Sequence, residues 1–155
     1  MEISEKQLAE QRVAYVRHYG EYGLEPTLRT LKRLLRWAGS RDLLRGRVLG
    51  IPWNNPKVTP AGECCYDACI DVPADFEPDH PAISVQTLQA GTYLVRSCEC
   101  VDGDLETPWQ EFLAWYRESD REMTDEPCFE VYLDGSYEDQ SGNWSMELFM
   151  PVYPR

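Results

Sequence analysis

Apolar and polar residues alternate at period two in several stretches of the chain, a pattern that predicts β-strands. The last two such stretches are residues 128–133 and 144–151. Asp134-Gly135 supplies turn chemistry directly after the first of them, so we expect the two strands to form a hairpin. This hairpin closes the chain and carries its most specific local sequence, Pro-Cys-Phe-Glu-Val-Tyr-Leu at 127–133.

The rest of the chain alternates between strand-like and helix-like patterns. Apolar residues recur at helical spacing after Pro26 and again after Thr107-Pro108, where threonine predicts an N-cap and proline the first helical position. Gly39 is the predicted terminator of the first helix. Residues 1–10 are polar and predict no element. The remaining predicted strands are 12–19, 48–53, 66–73, 83–88 and 91–101.

Self-comparison predicts an internal repeat at an offset of 78 residues. The predicted fold is therefore α+β: one domain, 1–155, built from two strand–helix–strand–strand repeats at about 10–73 and 82–153, with a cleft at the seam. At this offset Glu147 matches Cys69, so the carboxylate is not repeated and the fold alone does not explain it. The matched pairs are Tyr15/Tyr93, Leu34/Phe112, Leu35/Leu113, Trp37/Trp115, Ile70/Leu148 and Pro73/Pro151.

The charge of the chain narrows the class of partner. Its 155 residues carry a formal net charge of −12. That charge argues against direct nucleic-acid binding and suits neutral or cationic ligands. No apolar run is long enough to span a membrane, and the charged start lacks the apolar run of a signal peptide, so we expect a cytoplasmic protein. No nucleotide or cofactor motif is present, and the six cysteines lack metal-ligand spacing, so no cofactor or metal is predicted.

A local basic patch interrupts this acidic composition. Residues 29–47 contain seven basic side chains and only Asp42 as an opposing charge. Two interpretations stay open: a solvated helix face, and a docking surface for an acidic partner.

The sequence resembles the GyrI-like small-molecule-binding domain family, most closely its DNA gyrase inhibitor type. The resemblance covers nearly the whole chain in order. It implies a gyrase-inhibitor-like, duplicated α+β fold with an antiparallel sheet and a central ligand cleft. The matching residues are Asn55-Pro56, Thr59-Pro60, Cys65-Tyr66-Asp67, Gly91, Tyr93, Pro108-Trp109, Phe112, the 127–133 run, and Glu147 before Pro151.

The resemblance also implies a site. A glutamate on the last strand, here Glu147, is expected to face the ligand, surrounded by the aromatic residues Trp109, Tyr132 and Trp53, with Phe149 as a further candidate. Glu130 shares a strand face with Tyr132, so these two are either site residues or a structural cross-strand pair. Pro52 removes a strand hydrogen-bond donor, which predicts an edge or bulged strand there.

Three functions follow as hypotheses. The first is binding of small lipophilic, often cationic or planar compounds, with a role in multidrug or toxin protection and stress response. The second is hydrolysis of cyclopropane-bearing alkylating toxins, with Glu147 and Tyr132 as catalytic residues. The third is an inhibitory interaction with DNA gyrase. A carboxylate among aromatic side chains serves the first two equally, because cation–π attraction and a raised pKa can both arise there.

Overall fold

The structure, a computed structural model, describes residues 1–155 as two helices and eight strands. The helices are α1 (Leu24–Gly39) and α2 (Glu106–Arg117). Neither is long and apolar enough to cross a membrane. The strands are β1 (Ile3–Leu8), β2 (Gln11–Tyr19), β3 (Val48–Pro52), β4 (Cys65–Asp71), β5 (Ser84–Leu88), β6 (Gly91–Cys100), β7 (Phe129–Tyr132) and β8 (Trp144–Val152).

All eight strands form one antiparallel sheet in the order β1-β6-β8-β7-β3-β4-β2-β5. The predicted hairpin is confirmed: β7 pairs with β8, and Asp134 and Gly135 both adopt positive φ in the turn. The centre of the sheet is the seam between β3 and β7, which joins the N-terminal and C-terminal halves of the chain. Each half also contributes an edge strand that pairs with the other half: β1 pairs with β6, and β5 pairs with β2.

The sheet has two apolar faces, and the helices cover only one. Leu31, Leu34 and Phe112 from the helices pack in a buried cluster against that face. The other face buries ten residues, with Phe129 stacked on Phe149 at 4.6 Å between ring centroids. No helix covers this second cluster. It is buried because the sheet curls upon itself. The two-residue links 9–10 and 89–90 require this curl, because each joins strands that are consecutive in the chain but lie towards opposite ends of the sheet.

Several predicted boundaries shift. Residues 3–8 form β1, which the sequence analysis missed because only Ile3 and Leu8 are apolar and the four residues between them are exposed. The first helix begins at Leu24 instead of Pro26, and Gly39 is its last residue. Thr107 lies inside α2 and does not cap it.

Asp104 supplies that cap. Its Oδ1 accepts the backbone N–H of Thr107 at 3.0 Å and that of Glu106 at 3.2 Å, so a carboxylate satisfies donors of the first turn. Its negative charge also lies at the positive end of the helix dipole.

The expectation of an edge or bulged strand at Pro52 was wrong, and the pairing of β3 with β4 runs through Pro52 without a bulge. β3 is central, between β4 and β7. The proline is tolerated because it is the last residue of β3, whereas pairing with β7 covers only Val48, Leu49 and Gly50. Proline lacks a backbone N–H, but at position 52 β3 no longer pairs with β7. No hydrogen bond of that strand pair is therefore lost.

In the strands, the register equates residues 80 positions apart instead of the predicted 78, whereas the helix pairs at an offset of 78 stay a prediction. Leu49 lies opposite Cys69 in one half, as Phe129 lies opposite Phe149 in the other. Ala14/Ile70 and Leu94/Met150 obey the same shift. At this offset Glu147 corresponds to Asp67, and Glu130 corresponds to Gly50. Duplication of the chain itself stays a prediction.

Gly50 is the closest packed residue of the seam. A Cβ built on it would lie 2.3 Å from the hydroxyl of Tyr132 and 2.6 Å from that of Tyr66. The two hydroxyls are themselves 2.6 Å apart, so they meet over the bare backbone of Gly50.

We therefore expect Gly50→Ala to lower the free energy of unfolding by about 1–3 kcal/mol, because the added methyl forces the tyrosines apart. Urea denaturation measures the change. Gly62→Ala is the matched control, since a Cβ there meets nothing within 4 Å. Its effect should stay within about 0.5 kcal/mol. Equal stability of Gly50→Ala and wild type would show that the seam tolerates a side chain there.

Candidate functional site

A cavity of about 510 Å³ lies between the two helices, above the seam of the sheet. The start of α1 forms one wall and the N-terminal half of α2 the opposite one. The loops after β3 and before β7 complete the walls, and the sheet forms the floor. Its main lining residues are Tyr22, Thr27, Trp53, Asn55, Tyr66, Leu105, Trp109, Gln110, Leu113, Met123, Cys128 and Glu130.

Glu130 is the charged group of the cavity floor. It is only 3% exposed, although the cavity reaches it. Its Oε1 accepts the indole N–H of Trp109 at 2.7 Å, and its Oε2 accepts the hydroxyl of Tyr132 at 2.6 Å. Each carboxylate oxygen thus has one donor, but no cation pairs with the group.

The electrostatics of Glu130 follow from this setting. Burial raises the pKa of its carboxyl above the ordinary value of 4.5, while the hydrogen bonds from Tyr132 and Trp109 hold the rise back. Burial thus disfavours the charged form of Glu130, and the two hydrogen-bond donors favour it.

Two buried tyrosines extend this hydrogen-bonded group across the seam. Tyr132 donates to Glu130, and the hydroxyl of Tyr66 on β4 lies 2.6 Å from that of Tyr132. Burial first, and then the charge of Glu130, raise the pKa values of both hydroxyls well above 10. Both stay protonated, so Tyr66 donates to Tyr132 while Tyr132 donates to the carboxylate.

The walls are held by specific polar contacts. Arg96 on β6 donates to the carbonyl of Pro108 at 2.6 Å and to Glu111 at 3.0 Å, which fixes the first turn of α2 and with it Trp109. On the opposite side, Gln110 donates to Asn55 at 3.0 Å. The helix is thereby tied to the loop after β3.

All charged residues that line the cavity are acidic. Besides Glu130, the cavity is bordered by Asp104, Glu106, Asp125 and Glu126, and no lysine, arginine or histidine lines it. Such a wall attracts cations and repels anions. No group of three or more metal-ligating side chains is placed to hold a metal ion.

Four of the six predicted site residues meet at this cavity. Trp109, Glu130 and Trp53 line it, and Tyr132 lies directly behind Glu130. Trp53 is 41% exposed and its indole N–H is already bonded to Asp67 at 2.7 Å. It can therefore offer a ligand its ring face.

Glu147 and Phe149 lie elsewhere. Glu147 pairs with Val131 across the β7–β8 ladder, so its side chain is on the sheet face opposite that of Glu130. It is 23% exposed and lies 3.5 Å from Lys6. Phe149 packs inside the curled face against Phe129. Neither lines the cavity, whose floor carries Glu130.

Sequence reasoning missed Tyr66 and the four acidic residues that border the cavity, which are Asp104, Glu106, Asp125 and Glu126. One signal pointed to Tyr66: an isolated glycine inside a strand, Gly50, often marks a close approach by another group. Asp104, Asp125 and Glu126 come from loops whose positions no periodicity reveals, and Glu106 is the first residue of α2.

Cys128 lines the cavity but has no nucleophilic character. Burial raises the pKa of its thiol to about 12. The reactive thiolate is therefore essentially absent at neutral pH.

Comparison with known proteins identifies relatives of the whole chain. The model of the GyrI-like small-molecule-binding domain matches residues 1–153. A protein called DNA gyrase inhibitor from Erwinia billingiae (strain Eb661) is 36% identical over 124 residues, which cover 77% of each chain.

Solved structures share the fold at lower identity. The C-terminal domain of EcmrR superposes with a TM-score of 0.72 at 16% identity, over 99% of this chain and 98% of that one. SAV2435 bound to tetraphenylphosphonium gives a TM-score of 0.60 at 20% identity, over 98% and 94%.

The buried charge of Glu130 predicts a pH-dependent stability difference. Because its pKa is raised in the folded state, the folded protein binds this proton more tightly than the unfolded chain does. Wild-type stability therefore falls as pH rises from about 4.5 through the raised pKa. We expect Glu130→Gln to raise Tm by a few °C at pH 8, since about 1 kcal/mol corresponds to about 2–4 °C in a domain of this size.

Differential scanning calorimetry between pH 4 and pH 8 measures this effect. The gain should shrink towards pH 4, where the wild-type carboxyl is protonated in both states. Glu147→Gln is the control and should change Tm by no more than about 1 °C, because that carboxylate is partly exposed. A Glu130→Gln protein less stable than wild type at pH 8 would contradict the account.

Proposed function

Because the chain belongs to the GyrI-like small-molecule-binding domain family, we propose that its cavity binds lipophilic cations, with Glu130 as the anionic contact. The observation that carries the proposal is the buried carboxylate of Glu130, which has two hydrogen-bond donors and no cation. Sequestering such compounds gives the protein a role in protection against drugs or toxins.

Electrostatics favour this ligand class over others. A buried carboxylate costs several kcal/mol relative to water, and its two neutral donors offset only part of that cost. A ligand cation supplies the missing opposite charge. An anion would meet five carboxylates around the cavity and no basic side chain.

The aromatic walls favour a flat or aryl-bearing ligand. Trp109 stacks on Phe112 with 6.0 Å between ring centroids, which holds the indole in place. Its N–H bond to Glu130 sets the ring beside the carboxylate. Each aromatic face adds about 0.5–2 kcal/mol of cation–π attraction where water is excluded.

Tetraphenylphosphonium is a suitable probe, because its charge is permanent and its surface is aromatic. In isothermal titration calorimetry, Glu130→Gln should weaken its binding at least about tenfold, since the buried opposite charge is lost while the side-chain shape is kept. Glu147→Gln removes the same charge from the other sheet face and should change Kd by less than about twofold.

The paired variants separate the two candidate carboxylates. Loss of binding in Glu147→Gln with normal binding in Glu130→Gln would place the ligand on the opposite face. Neutral triphenylphosphine oxide, which lacks the cation, should bind wild type and Glu130→Gln alike.

The same probe gives a pH prediction. Only the ionised form of Glu130 attracts the cation, so affinity should rise as pH increases from about 4.5 through the raised pKa and then level off. Glu130→Gln should show a flatter profile. A wild-type affinity that is constant from pH 4.5 to pH 8 would exclude Glu130 as the anionic contact.

Hydrolysis is a second candidate, and the pairing of Glu130 with the Tyr132 hydroxyl at 2.6 Å favours it. A carboxylate with a raised pKa beside a protonated hydroxyl can act as base and acid on a bound substrate. Incubation with a cyclopropane-bearing alkylator, followed by absorbance, tests this candidate. Absence of turnover, or equal turnover in wild type, Glu130→Gln and Tyr132→Phe, excludes it.

Gyrase is a candidate partner, because several relatives at about 30–36% identity bear the name DNA gyrase inhibitor. Inhibition of DNA supercoiling by near-stoichiometric protein would support a direct interaction. An effect seen only at large excess would count against it.

A further inference from the structure

Basic residues are concentrated on the outer face of α1, although the chain as a whole is acidic. Residues 29–47 hold seven of the chain's 15 basic side chains. Helical spacing places Arg29, Lys32, Arg33 and Arg36 on one exposed face, and Arg41 follows just beyond the helix end. We call these five residues the basic ridge.

A groove of about 360 Å³ runs beside this ridge. Its floor is apolar and belongs to the folded core: Val16, Trp37 and Ile83 are all less than 10% exposed. Its walls carry the side chains of Arg33, Arg36 and Arg41 from the ridge, together with His80. The groove therefore combines an apolar base with a cationic rim, the opposite polarity of the cavity above the seam.

Much of the ridge lacks a partner within the chain. Lys32, Arg33 and Arg36 make no ion pair, whereas Arg41 is held over the ring of Trp37 by Asp79 at 2.9 Å. His80 accepts the Ala82 N–H on Nδ1, which leaves Nε2 as a free donor. The groove thus presents cationic donors that the fold does not use.

We propose that the basic ridge and its groove dock an acidic segment of a partner protein. An aromatic or aliphatic side chain of that segment enters the groove against Trp37, and its carboxylates meet Arg33, Arg36 and the rest of the ridge. The binding is charge-complementary at the rim and apolar at the centre, as specific protein interfaces are.

The dimensions favour an extended peptide over a small anion. From Arg29 to Arg41 the ridge spans about 15–20 Å, or roughly five to six residues of extended chain. A small anion would leave most of these guanidinium groups without a partner.

The surroundings disfavour nucleic acid. Asp75, Glu77 and Asp79 lie in the connector that borders the groove, and the whole chain carries −12. A broad polyphosphate duplex would meet these carboxylates, whereas a narrow peptide can stay on the ridge.

Fluorescence anisotropy with a labelled, glutamate-rich peptide about eight residues long tests the proposal. The peptide carries one phenylalanine and one leucine. Binding should be saturable and should weaken with added salt. The double variant Arg33→Glu/Arg36→Glu should weaken it at least about tenfold, and both residues are exposed, so folding should be unaffected.

The matched control is Lys57→Glu/Arg117→Glu. It changes the net charge equally at exposed positions outside the ridge and should alter affinity by no more than about threefold. A peptide with glutamine in place of glutamate should bind far more weakly. Unchanged thermal unfolding of both double variants verifies that the comparison is made between folded proteins.

Four outcomes would overturn the proposal. They are no saturable binding at low salt, equal binding by the ridge and control variants, tighter ridge-dependent binding of a DNA duplex, and equal affinity for phenylacetate alone. Salt-sensitive self-association in analytical ultracentrifugation, abolished by Arg33→Glu/Arg36→Glu, would identify a second copy of this chain as the occupant and would also overturn it.

Discussion

The structure depends on how one carboxylate is buried at the centre of the sheet. Glu130 lies at the seam, where it is only 3% exposed, and two neutral donors from different elements bond its oxygens. Trp109 belongs to α2 and Tyr132 to β7, so this single side chain links a helix to the sheet. A neutral residue would satisfy the fold at lower cost. Packing alone therefore does not account for a charged residue at this position.

The elements around Glu130 are arranged to keep it accessible from one side only. Arg96 is hydrogen-bonded to the first turn of α2. Gly50 has no side chain, and the two tyrosine hydroxyls occupy the space that a side chain would fill. Phe112 fills the region behind Trp109, which leaves the indole little freedom to turn away. Because these side chains are already held in place, a ligand has fewer groups to order, and binding loses less conformational entropy.

The sequence predicted both helices, the closing hairpin and seven of the eight strands, because those segments have strong periodicity. The resemblance assigned the ligand-facing position to Glu147, whereas Glu130 lies on the cavity floor. Alternation tells which residues share a face, but only the strand register tells which face meets the helices. Here Val131, and not Glu130, lies opposite Glu147, and the long turn between the strands left that register undetermined. With the strand register shifted by 80, Glu147 matches Asp67 and Glu130 matches Gly50, so only Glu147 has a carboxylate at the matching position.

Gly50 and Glu130 are not only counterparts but also direct neighbours across the seam. A position that faces its own counterpart lies on the axis relating the two halves. In an assembly of two identical subunits this position would hold the same residue twice, either two glycines with no charge or two glutamates with side chains only about 5 Å apart at Cβ. A single covalent chain escapes that restriction. Because the two halves belong to one chain and differ in sequence, the axis can hold a single negative charge.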